Sequence, residues 1–157
     1  MNLSSFCSQC QKPKATLSCE TCSEVLCKSC AEFIPENAFP LLTKRPVEIA
    51  HSTYCTACYS NYVLPFIEKY KEIESRAKDI KVFDKTQGKE TRLIKKTEDP
   101  LTVDDCSEYQ EALMKLAYLA AEKNFNTLVD VDIKSKKIRI DSYQTSLFFG
   151  SGIPAKT

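Results

Sequence analysis

The sequence predicts an α+β protein in three parts: a small cysteine-stapled module, a connecting helix and a larger α+β domain. Three observations predict it. Eight of the nine cysteines fall into four C-x-x-C pairs, all before residue 59. An apolar stripe at helical spacing follows, from Val63 to Ile80. Beyond residue 105 a second helical pattern gives way to alternating apolar residues, with no further C-x-x-C pair. The boundaries that follow are 1–62, 63–81 and 82–157. A chain of 157 residues holds one medium domain or two small ones, and the first part is too small for a large core of its own.

The pairs are Cys7/Cys10, Cys19/Cys22, Cys27/Cys30 and Cys55/Cys58. Two cysteines at this spacing put their sulfurs on one tight turn, half of a tetrahedral zinc site. Four pairs make two complete sites, so two zinc ions are expected. A disulfide scaffold is the competing reading. It fits less well, because Met1 to Phe6 lacks the basic and apolar regions of a secretory signal. Paired C-x-x-C units are also poor geometry for structural disulfides. Only four residues separate the second pair from the third, in Cys22-Ser-Glu-Val-Leu-Cys27. That suits a tight hairpin with Val25 or Leu26 buried, and it is too short for both flanking pairs to grip one ion. An interleaved arrangement follows. Cys7, Cys10, Cys27 and Cys30 form the first site, and Cys19, Cys22, Cys55 and Cys58 the second.

His51, the one histidine, lies four residues before Cys55 and competes as a ligand. Four cysteines already complete that site, so packing or hydrogen bonding beside it is the expected role. Closed four-thiolate sites leave no position for a reacting water, so no enzyme activity is expected. Zinc binding also changes the charge. Eight thiolates and two zinc ions move the formal +1 to about −3. Residues 1–60 balance Lys12, Lys14, Lys28, Lys44 and Arg45 against Glu20, Glu24, Glu32, Glu36 and Glu48, so the loaded module is acidic. A nucleic-acid or anionic-lipid surface needs the opposite sign.

The run CETCSEVLCKSC and the later YCTACY resemble the FYVE-type cross-brace, or treble-clef, zinc finger over about residues 5–62. The B-box is similar over residues 7–30 but closes with histidines, where this chain has Cys55 and Cys58. Lipid-binding FYVE fingers carry a basic run around the third cysteine. Here that run is Thr16-Leu17-Ser18-Cys19-Glu20, without a cation. Phosphatidylinositol 3-phosphate binding is therefore not expected, because headgroups need cationic donors.

Between Ala31 and Ser52, Pro35, Pro40 and Pro46 forbid a long helix. Phe33, Ile34, Phe39, Leu41 and Leu42 either fill a core or form a loop that docks a partner. Val63, Ile67, Tyr70, Ile73, Ala77 and Ile80 then mark the connecting helix, with Pro65 in its first turn. In the last part, Val82-Phe83 and Leu93-Ile94 read as short strands around a Gln87-Gly88 turn. Ser107 to Gln110 reads as a capping box. It opens a helix that buries Leu113, Leu116, Ala117, Ala120 and Ala121 and ends near Asn124. Leu128, Val129, Val131 and Ile133 form a strand, Ser135-Lys136 a turn, and Ile138 to Phe149 a second strand.

The stretches LAYLAAEKNFNTLVDVDI and SLFFGSGIPAKT resemble the YbjQ family of small bacterial domains, over about residues 105–157. The resemblance implies an oligomeric α+β fold, possibly a ring, and supplies no activity. Tyr143, Leu147, Phe148 and Phe149 argue for self-association independently, since a domain this small hides little surface. Cys106 has no histidine after it and reads as a buried thiol. Lys134, Lys136, Lys137 and Arg139 form a solvated basic face without the aromatic platform of a single-strand binder. The whole reads as a non-enzymatic, zinc-binding adaptor of a bacterial cytoplasm. Its finger would dock a protein, and its C-terminal domain would oligomerise. The alternatives are a phosphoinositide-targeting module and a ubiquitin-transfer cross-brace, which wants an exposed apolar pair that only Val25 and Leu26 could supply.

Overall fold

The computed structural model describes residues 6–157 and is mixed α+β. The chain separates into two compact units. One comprises the described residues up to Pro40 together with Lys44–Tyr70; the other comprises Leu41–Thr43 and Lys71–Thr157. No helix among the described residues is long and apolar enough to cross a membrane.

Apart from the helical run that begins at Thr56, the first unit has little regular structure among its described residues. Strands β1 (Leu17–Ser18) and β2 (Val25–Leu26) form a hairpin that encloses the second pair, Cys19 and Cys22, and does not lie between the second and third pairs as expected; Leu26 is buried, as expected. Strands β3 (Glu32–Phe33) and β4 (Thr53–Tyr54) bracket the proline-rich insert. That insert supplies core: Ile34, Phe39 and Ile49 are buried. Phe39 stacks edge-on against Phe66 and Tyr70, at 5.2 and 5.0 Å between ring centroids. Arg45 covers its open face at 5.7 Å.

The helix starts earlier than its apolar stripe suggests. α1 (Thr56–Cys58) runs through a π-helical stretch, Tyr59–Val63, into α2 (Leu64–Lys78). Pro65 therefore lies inside a continuous helical run and not in its first turn. Proline lacks an N–H and crowds the carbonyl four residues back, here Asn61. The wider π turn at Asn61 accommodates that defect. The boundary between the units falls within α2, at Tyr70/Lys71.

The second unit is a four-stranded sheet with one helix packed against it. The sheet order is β5-β7-β8-β6, from β5 (Lys81–Asp84), β6 (Leu101–Cys106), β7 (Thr127–Ile140) and β8 (Tyr143–Ala155). β5 and β7 are parallel, and the other pairs are antiparallel. Helix α3 (Tyr109–Glu122) buries Ala112, Leu116, Ala117, Tyr118, Ala120 and Ala121 and contacts β6, β7 and β8. Leu113, expected in the core, is only half-buried.

Three local expectations are corrected. Leu93-Ile94 is not a strand: it lies in turns, and Leu93 is 95% exposed. The missing strand is β6. Its alternation, Leu101 and Val103 inward, is broken by a bulge that turns both Asp104 and Asp105 outward. Asp105 takes φ 52°, and the bulge restores the phase so that Cys106 is buried. Ser107 and Gln110 form no capping box; Ser107 instead gives its backbone N–H and its hydroxyl to Glu111 Oε2, at 2.9 and 2.7 Å. Finally, the hairpin does not turn at Ser135-Lys136. β7 continues to Ile140, and Asp141-Ser142 make the turn with Asp141 at φ 53°. Aspartate tolerates that left-handed conformation better than lysine does.

α3 ends as expected near Asn124, which adopts φ 67° and donates to the Ala121 carbonyl at 2.9 Å. Arg76 gives a second donor to that carbonyl and one to Asn124 Oδ1, both at 3.0 Å. Gly150 sits opposite Ile133 in the hairpin. A Cβ there would lie 2.7 Å from Ile133 Cγ1 and 2.8 Å from the Asp132 carbonyl.

Candidate metal centres

The eight paired cysteines converge on two points. Cys7, Cys10, Cys27 and Cys30 form one cluster; Cys19, Cys22, Cys55 and Cys58 form the other. Within each, the four sulfurs lie within 4.8 Å of one another. The shortest separations are 3.6 Å for Cys10–Cys27 and 3.7 Å for Cys22–Cys55. Tetrahedral zinc with bonds of ~2.3 Å sets its sulfurs about 3.8 Å apart, so the spacing fits. It excludes disulfides, whose sulfurs approach to about 2.05 Å. All nine cysteines are free thiols. Each group of four can hold a metal ion.

Local backbone builds the clusters. In the first two pairs the residue after the second cysteine turns left-handed, with Gln11 at φ 62° and Ser23 at φ 66°. Each donates its N–H back to the first cysteine's carbonyl, at 2.9 and 2.8 Å. The third pair closes with Ala31 donating to the Cys27 carbonyl at 3.0 Å. The fourth opens a helix: Cys55 is the N-cap of α1, and its sulfur accepts from the Cys58 N–H at 3.3 Å. One sulfur thus serves the cluster and satisfies a helix donor.

The thiols do not titrate alike. Backbone N–H bonds, chiefly from Cys10, lower Cys7 to about 6. At Cys19 burial pushes upward, but the backbone donors of Cys22, Cys55 and Thr21 outweigh it and bring the thiol to about 6. Side-chain bonds from Cys10 and Cys27 push Cys30 up to about 12. Burial, followed by the neighbouring sulfurs, pushes Cys58 up. Four clustered thiols cannot all ionise unaided, and a dication supplies the missing positive charge.

His51 belongs to neither cluster. Its Nδ1 lies 3.2 Å from Glu20 Oε2, and Glu20 also accepts from the Ser52 hydroxyl at 3.0 Å. Glu20 thus ties the second knuckle to the segment before β4, a structural role the sequence did not disclose. Cys106 lies apart, buried, its thiol 3.4 Å from the Asp104 carbonyl. Beside the second cluster, Glu20, Thr21, Val47, His51 and Tyr62 line a shallow recess of about 230 Å³. Val47 is 81% exposed there.

No protein-family model matches this chain, and no curated protein or solved structure matches it significantly.

Proposed function

We propose that the chain is a non-enzymatic adaptor of a reducing compartment. Its first unit is a zinc-stapled cross-brace of FYVE-like type that docks a protein, and its second is a YbjQ-like domain that self-associates. The observation that carries this reading is the pair of closed four-sulfur clusters assembled from interleaved pairs. Sites with four thiolates hold zinc for structure, because no coordination position stays open for a substrate. A protein is favoured as the partner because the zinc-loaded unit is acidic and because Val47 and Tyr62 expose apolar surface in the recess. Phosphoinositide targeting is disfavoured because the run Thr16–Glu20, where the FYVE resemblance expects cations, holds none, and the Glu20 carboxylate there is already bonded to Ser52 and His51. The ubiquitin-transfer reading loses support because Leu26 is buried.

Two measurements test the proposal together. Metal analysis of the purified chain should return two equivalents of zinc. Val47→Glu should abolish capture of the protein partner from the native host while leaving both zinc ions in place. A chain without zinc, or recruitment to phosphoinositide liposomes at physiological salt, would overturn it.

A further inference from the structure

The hairpin of the second unit outruns its sheet. β5 pairs with β7 only as far as Val131, and β6 pairs with β8 only from Phe148 onward. Beyond those limits, among the described strands, Lys134–Ile140 and Tyr143–Leu147 pair only with each other, as a two-stranded arm. An isolated two-stranded arm is marginal in water, and its outer edges present unpaired backbone groups.

The two edges are protected unequally. The β7 edge carries Lys134, Lys136, Lys137 and Arg139. Lysine-rich edges repel a second strand, a common device against edge-to-edge association. β8 has no charged residue anywhere from Tyr143 to Ala155. Register also sorts the side chains. Ile140 opposes Tyr143, Ile138 opposes Thr145, and Lys136 opposes Leu147, so Ile138, Ile140, Tyr143 and Leu147 share one face. Tyr143 is 58% exposed on it.

We propose that the open edge of β8, Tyr143–Leu147, pairs antiparallel with the same edge of a second copy about a two-fold axis at Thr145. This rests on the self-association reading above and specifies its interface. The register follows from the space available. The free edge spans five residues, bounded by the Asp141-Ser142 turn and by Cys106 of β6, which pairs with Phe148. A strand that fills it is centred on Thr145. Tyr143 then faces the second copy's Leu147, Thr145 faces its own counterpart, and Gln144 faces Ser146. Aromatic–aliphatic and threonine–threonine pairs are favourable across strands, and no like charges meet. The second copy is favoured over an unrelated strand because the edge is complementary to itself in both charge and side-chain size. Pairing continues the line of β6 and removes the exposed edge from both copies.

Light scattering on the intact zinc-loaded chain at high micromolar concentration tests the proposal, and a dimer is expected. Thr145→Glu sets two carboxylates against each other across the axis, while Lys136 of its own arm remains a diagonal neighbour. Its dimer should dissociate at least tenfold more readily, with unchanged circular dichroism and zinc content. Thr145→Cys should cross-link to itself under mild oxidation, since directly opposed strand residues lie within disulfide reach. The cross-link decides the matter should Thr145→Glu fail to fold. A monomeric parent chain would overturn both this interface and self-association. A parent dimer that survives Thr145→Glu or gives no self-cross-link, or a parent assembly larger than a dimer, would overturn the β8 edge and leave self-association standing.

Discussion

Among the described residues, no strand of the unit with the cysteine clusters exceeds two residues, whereas the hairpin strands of the sheet unit run for fourteen and thirteen. The contrast reflects two ways of meeting one cost. Ordering each residue costs roughly 1–2 kcal/mol of backbone entropy, and something must offset it. In the sheet unit continuous burial does so, through α3 and the inner residues of β6 and β7. In the other unit a few buried side chains, among them Leu26, Phe39, Ile49 and Tyr54, surround two sulfur clusters. Its fold depends on eight side chains meeting at two points, and the unit should lose structure when either point fails.

Metal removal should break the comparison most sharply. Structural zinc contributes ~10–16 kcal/mol of apparent binding energy in finger peptides, far more than the net stability of a small domain. A strong chelator should therefore unfold the first unit and leave the sheet unit folded, each followed by its own NMR resonances. Cys19→Ser should do the same with loss of at least one zinc equivalent. Simultaneous melting of both units would show that their cores are not independent. Leu116→Ala is the reciprocal test. This fully buried side chain of α3 should cost the sheet unit about 2–5 kcal/mol in denaturant melts and leave the zinc content at two. Gly150→Ala crowds Ile133 and the Asp132 carbonyl and should cost about 1–3 kcal/mol in the same unit. Smallest, and opposite in sign, is Ser23→Gly. Relief of a left-handed φ at an exposed position should stabilise the zinc-loaded first unit by about 1 kcal/mol, seen as a higher midpoint against denaturant.

The two units were also unequally legible. Ligand pairing could be read from spacing because a C-x-x-C turn is local and four residues cannot wrap one ion. The buried face of α3 could be read from its period. β6 could not, because its bulge at Asp104-Asp105 breaks the alternation that marks a strand. The hairpin turn was misplaced because Ser135-Lys136 looks polar and loop-like. A strand projecting past its sheet is polar for the same reason a loop is, namely exposure to water. Nor did the tie from Glu20 to Ser52 appear, since it joins residues that only the folded metal unit brings together.

The interleaving of the cysteine pairs also imposes an order in time. During synthesis the first cluster has its full ligand set once Cys30 has emerged, while the second waits for Cys58. In that interval six thiols compete, and Cys7 and Cys10 can be claimed by Cys19 and Cys22 before Cys27 and Cys30 arrive. A fragment ending at Ile34 reproduces the interval. It should take up one equivalent of zinc, and Cys27→Ser should weaken that uptake more than Cys19→Ser if the native set wins the competition. The reverse result would mean that the nascent chain passes through a misligated state and must exchange ligands before its fourth pair arrives.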